Sequence, residues 1–143
     1  MIVERELYGT REKFFDILVE AIVEDANMSK SKQITIKDIK EGYSYSKTIN
    51  ERSKNKDKKR SKATIAKFNR PEEFCLKVAS ESGTTTLDYK IKYIDEENIK
   101  VIYKEEYRTK EGKIYDGFFY KRNLKKKANM YLDQLQEYMN TEE

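Results

Sequence analysis

The stretch FFYKRNLKKKANMYLDQLQEYMNTEE, Phe118–Glu143, decides how the rest of this chain is read. Its apolar residues Leu124, Ala128, Tyr131, Leu132, Leu135, Tyr138 and Met139 recur with the period of one face of an α-helix. Lys121, Lys125, Lys126, Asp133, Gln136 and Glu137 fall on the opposite side. A helix with one apolar stripe must lie on an apolar surface, and the residues before it have to supply that surface.

They do so as strands. Ile99, Val101, Tyr103, Glu105 and Tyr107 share one face, opposite Lys100, Ile102, Lys104, Glu106 and Arg108, with the period of two that a strand imposes. One segment earlier, Leu87, Tyr89, Ile91 and Tyr93 alternate with Asp88, Lys90 and Lys92. Between Glu73 and Ser82, Phe74, Leu76 and Val78 oppose Lys77 and Glu81, although Cys75 and Ala79 blur the outer face. Ala63–Phe68 reads as a further strand, and Tyr43, Tyr45, Lys47 and Ile49 alternate with Ser44, Ser46 and Thr48. Turn residues separate these runs: Asn69-Arg70-Pro71, Gly83, Asp95-Glu96-Glu97-Asn98 and Lys110-Glu111-Gly112-Lys113. Ile114-Tyr115 is read as a brief last strand.

At the other end, Ile2–Tyr8 is read as a strand with Val3, Arg5 and Leu7 on one face, and Gly9 breaks it. Thr10 suits the N-cap of a helix that carries Phe14, Phe15, Ile17, Leu18, Ala21 and Ile22 at helical spacing and ends near Asn27. Ile34, Ile36 and Ile39 fit a short strand, a helical turn or an irregular connector equally well. The order predicts an α+β fold: one domain over residues 1–143, in which consecutive antiparallel strands curl around the closing helix. Arg52–Lys62, with seven cations and no apolar residue, reads as the mobile tip of a hairpin.

Composition narrows the chemistry. Charged residues make up 39% against 37% hydrophobic, which leans towards disorder, but 11 Tyr and 6 Phe provide the large apolar surface of a folded core. With 30 basic and 26 acidic residues the net charge is only +4, weak support for a nucleic-acid partner. The absence of histidine excludes Ser–His and Cys–His catalysis, and the lone Cys75 forms neither an internal disulfide nor an ordinary zinc site. The five glycines form no phosphate-binding loop. No motif calls for a metal or cofactor. Met1-Ile2-Val3 runs straight into Glu4-Arg5-Glu6 with no signal-peptide pattern, and no apolar run approaches the ~20 residues of a bilayer span. A soluble, cytoplasmic protein is expected.

Phe14-Phe15-Asp16-Ile17-Leu18, Gly42-Tyr43-Ser44-Tyr45, Val101-Ile102-Tyr103-Lys104-Glu105-Glu106-Tyr107 and the basic helix start Lys121-Arg122, Lys125-Lys126-Lys127 resemble the helix-grip superfamily. This is the START, polyketide-cyclase and pollen-allergen-like (SRPBCC) fold. Within it the chain is similar to an uncharacterised family of small bacterial cytoplasmic proteins that form a domain of unknown function. The resemblance implies a curved antiparallel sheet gripping the C-terminal helix, with a hydrophobic ligand held between them. The chain departs from the pattern in its long basic hairpin and in lacking a clear second helix after Asn27, which leaves the mouth of such a cavity open or collapsed.

The candidate ligand-binding residues are Tyr45, Tyr89, Ile91, Tyr103, Glu105, Tyr107, Tyr131 and Leu135. Glu105 stands out because an inward carboxylate must be hydrated, hydrogen-bonded or protonated. It serves as a polar anchor or a general acid/base, or else as a strand-end residue paired with a cation or a tyrosine hydroxyl. The tyrosines line a pocket, or they fill a core short of leucine and valine. Three functions follow: binding of a small hydrophobic or amphipathic ligand without catalysis, docking of an acidic partner or nucleic acid on the Lys/Arg-rich loop and helix, or an enzyme that uses Glu105. An enclosed space beside Glu105 separates the first from a filled core.

Overall fold

The computed structural model describes residues 1–28, 33–49 and 59–141, the side chains at 48, 49, 59 and 60 excepted. Its elements are β1 (Ile2–Tyr8), α1 (Arg11–Asn27), β2 (Ser44–Ile49), β3 (Lys59–Asn69), β4 (Glu73–Ala79), β5 (Gly83–Tyr93), β6 (Asn98–Thr109) and α2 (Phe118–Thr141). The strands form one antiparallel sheet in the order β1-β6-β5-β4-β3-β2. Five strands follow one another as a meander, and β1 closes the far side by pairing with β6. The long C-terminal helix and the curved sheet match the α+β, helix-grip expectation.

Local chemistry sets each boundary. Thr10 caps α1 by accepting the Lys13 backbone N–H at 3.2 Å. The α1 face that carries Phe14, Phe15, Ile17 and Leu18 is buried on the sheet, and Phe15 meets Phe68 and Phe74 edge-on at centroid distances of 5.2 and 6.0 Å. The ambiguous isoleucine segment resolves as one short 3-10 turn, Ile36–Asp38, where the Asp38 carboxylate accepts the Thr35 N–H at 2.9 Å. Ile114 makes an isolated bridge to Arg108 rather than a strand.

The basic run at Arg52–Lys62 is shorter as a loop than the sequence suggests. Lys59, Arg60 and Lys62 belong to β3, in register with Ile49, Thr48 and Ser46. Backbone pairing continues through charged residues once the partner strand is in place, and hydropathy alone does not register that. The remainder of the run, 52–58, lies outside the described residues. A register shift between Ile65 and Lys67 marks a bulge in β3.

α2 packs along β1 and α1. Ala128, Leu132, Leu135 and Met139 are buried, whereas Tyr138, counted in the same stripe, is 61% exposed. Because β1 is an edge strand, its unpaired backbone groups need partners. At Tyr8 the Gln136 carboxamide supplies both: its oxygen accepts from Tyr8 N–H at 2.7 Å and its nitrogen donates to Tyr8 C=O at 2.8 Å. Arg5 donates to the Asn129 carbonyl at 3.1 Å and pairs with Asp133 at 2.7 Å. Cys75 lies buried on the outer face, where burial pushes its thiol up.

Candidate ligand cavity

α2 follows the β1 side and α1 crosses towards β2, so the two helices diverge over the middle of the sheet. The gap between them is a partly open cavity of about 840 Å³, within the range of pockets that take small molecules. Its floor is Phe74 and Leu76 of β4, Leu87 and Tyr89 of β5, and Tyr103 and Glu105 of β6. Register explains this grouping, since Tyr89 pairs with Tyr103 and Leu87 with Glu105. Leu18, Ala21, Ile22 and Asp25 of α1 form one wall, and Leu124, Lys127, Ala128 and Tyr131 of α2 form the other.

Polar groups occur at two separated places. Tyr103 donates its hydroxyl hydrogen to Glu105 Oε1 at 2.6 Å, and its ring stands edge-on to Tyr89 with centroids 4.8 Å apart. Towards the β2 side of the sheet, Asp25 accepts the Tyr45 hydroxyl at 3.0 Å and pairs with Lys47 Nζ at 3.3 Å. Burial, followed by the nearby Tyr131 and Glu105, pushes the Tyr89 phenol well above its ordinary value. Burial, the Tyr89 neighbour and the Glu105 hydrogen bond do the same for Tyr103. Burial and the Asp25 carboxylate raise Tyr45, and burial raises Tyr131. All four phenols are therefore neutral hydrogen-bond donors at ordinary pH.

Tyr89 is the distinctive one. It is only 6% exposed and lines the cavity, yet its hydroxyl has no hydrogen-bond partner among the described residues. No side-chain polar atom among those residues is both fully sealed and unpaired, so this hydroxyl reaches the cavity space.

Of the residues singled out from sequence, Tyr89, Tyr103, Glu105 and Tyr131 meet on the cavity walls. The others lie elsewhere. Tyr45 stands behind Asp25. Ile91 is buried in the core opposite Val101. Tyr107 turns its hydroxyl to Ser82 Oγ at 2.9 Å, and Leu135 is buried beside a smaller recess between the helices. The α1 wall was not anticipated, although a signal was present: Asp25 follows Leu18 and Ile22 at helical spacing, a carboxylate in an apolar stripe.

Sheet, closing helix and the space between them define a helix-grip protein. Residues 1–115 match the family described as domain of unknown function DUF3284, and the chain belongs to that family. Among solved structures the chain is similar to the crystal structure of Ara h 8.0201, with a TM-score of 0.61 and 14% identity over 99% of this chain and 98% of that one. It is also similar to an uncharacterised protein from Rhizobium leguminosarum, with a TM-score of 0.62 and 10% identity over 99% and 94%. At such identities the likeness is one of fold. No curated protein matches the sequence.

Proposed function

We propose that this protein binds a small amphipathic molecule between its sheet and α2, and does no chemistry on it. The observation that carries this reading is the unpartnered Tyr89 hydroxyl on the wall of an otherwise largely apolar cavity. A core that was merely filled would leave no such space, and a phenol that faces it keeps a donor available to an acceptor on a ligand. Leu18, Ile22, Phe74, Leu76 and Leu87 would hold an apolar body. Tyr89 would donate to an acceptor on the ligand, and Glu105, with lone pairs beyond the one Tyr103 engages, would accept from a donor. The Asp25–Lys47 pair gives a second polar contact at the other side.

The test is to fill the space. Ala21 lines the cavity from α1 and is only partly buried, so Ala21→Phe occupies volume without opening the core. The fluorescent probe anilinonaphthalene sulfonate is expected to bind the folded protein, and this variant to lower its affinity by about tenfold or more, the loss of roughly 1.4 kcal/mol of contact. Unchanged dye binding in a variant that keeps its melting temperature would contradict the proposal.

A further inference from the structure

Every residue from Lys110 to Phe119 is exposed, and that run contains four large apolar side chains. Ile114 is 49% exposed, Tyr115 54%, Phe118 73% and Phe119 74%. The two phenylalanines pack edge-on against each other at 5.5 Å, and Tyr115 packs edge-on against Tyr120 at 4.6 Å, so two aromatic pairs cluster within one short exposed segment. Exposed apolar side chains clustered in this way mark an interaction site, whereas single exposed apolar residues are ordinary.

The charges around the tip indicate what covers it. At 100° per residue, Arg122, Lys125 and Lys126 fall on the same side of α2 as Phe118 and Phe119, with Lys121 alongside. Among the described residues none of these four cations has an ion-pair partner. The first turn of α2 carries no acidic residue, so nothing there offsets them against the positive end of the helix dipole. Lys127 points the other way, into the cavity wall.

We propose that this tip docks on an anionic lipid bilayer surface, with the aromatic side chains entering the headgroup region and the cations meeting lipid phosphates. Aromatic tips flanked by unpaired Lys and Arg are the pattern of interfacial membrane binding. Single-stranded nucleic acid fits less well, because its bases need ring faces set in succession along a basic groove, whereas here each ring stands edge-on to its neighbour on an exposed segment. Docking is peripheral: among the described residues no helix is long and apolar enough to cross a membrane. The surface stands independently of whether the cavity takes a ligand.

The chain has no tryptophan, so Phe119→Trp gives a single indole reporter at the tip. Vesicles of phosphatidylcholine with about 30% phosphatidylglycerol are expected to shift its emission to the blue, and acyl-brominated lipid to quench it. Pure phosphatidylcholine vesicles should do neither, and added salt should reverse the shift. Lys125→Ala with Lys126→Ala in the reporter background should lower the partition by about 25-fold, at about fivefold per cation near such a surface. The proposal is overturned by no shift on anionic vesicles, or by equal shifts on both kinds. It is also overturned by a shift that appears with protein concentration alone and a doubled mass in sedimentation, or by one that single-stranded oligonucleotide produces and vesicles do not.

Discussion

Tyr89 and Tyr103 show how much of this site rests on neutral phenols. Their protons, with those of Tyr45 and Tyr131, are held above the ordinary value of 10.0, chiefly by burial. A raised folded value means that the unfolded chain gives up its protons first. The stability these groups contribute is then complete below pH 10 and falls as pH rises beyond it, by up to about 1.4 kcal/mol per unit for each of Tyr45, Tyr89 and Tyr103, and by less for Tyr131, which is 37% exposed. Tyrosinate absorbance followed together with circular dichroism should show these phenols ionising only as the protein unfolds. Ionisation of all eleven tyrosines while the fold is intact would contradict their placement. Alternation on β6 made Tyr103 and Glu105 legible in the sequence as same-face neighbours. The 2.6 Å bond between them was one of the readings weighed there, a strand carboxylate met by a tyrosine hydroxyl. Tyr107 obeys the same alternation but leaves the site, because its ring packs edge-on against Tyr115 at 6.5 Å and its hydroxyl is taken by Ser82.

Among the elements, the clasp between β1 and α2 is closed at Gly9 by a close approach to Met139. Gly9 adopts φ +138°, which side chains rarely tolerate, and a Cβ there would lie 3.1 Å from Met139 Sδ. Gly9→Ala is therefore expected to destabilise the protein by about 1–3 kcal/mol, and Gln136→Ala by about 1–2 kcal/mol through the lost pairing with Tyr8. Chemical denaturation measures both, and a midpoint unchanged in either variant would show that the clasp contributes nothing. The sequence disclosed β1, α1 and α2 nearly to the residue, since Gly9, Thr10 and helical spacing are local signals. Which flank of the sheet α2 follows was not legible. That depends on Gln136, Arg5 and Lys13 reaching partners more than a hundred positions away, and Gln136 looked like a solvent-facing residue of the helix. The extension of β3 back to Lys59 was hidden for the same reason, because pairing with β2 organises residues whose own composition is that of a loop.

At the scale of the molecule, a charge-laced outer sheet face, a cavity on the inner face and an aromatic tip ringed by cations occupy three distinct surfaces. The outer face holds opposite charges side by side, Lys67 with Glu73, Lys100 with Glu4 at 3.3 Å and Arg108 with Glu106 at 2.9 Å, and such exposed pairs contribute little stability. The cavity is what the divergence of two helices over a tyrosine-rich sheet leaves behind. Periodicity predicted the helices and the sheet but not the space, because an apolar residue that faces a gap and one that faces a neighbour have the same pattern. Native mass spectrometry of the protein purified gently from its own cells tests the central claim most directly. The expected result is a population carrying a non-covalent small-molecule adduct that organic solvent releases and that Ala21→Phe lacks. The bare chain mass under the gentlest conditions, or an adduct retained equally by the filled variant, would contradict it.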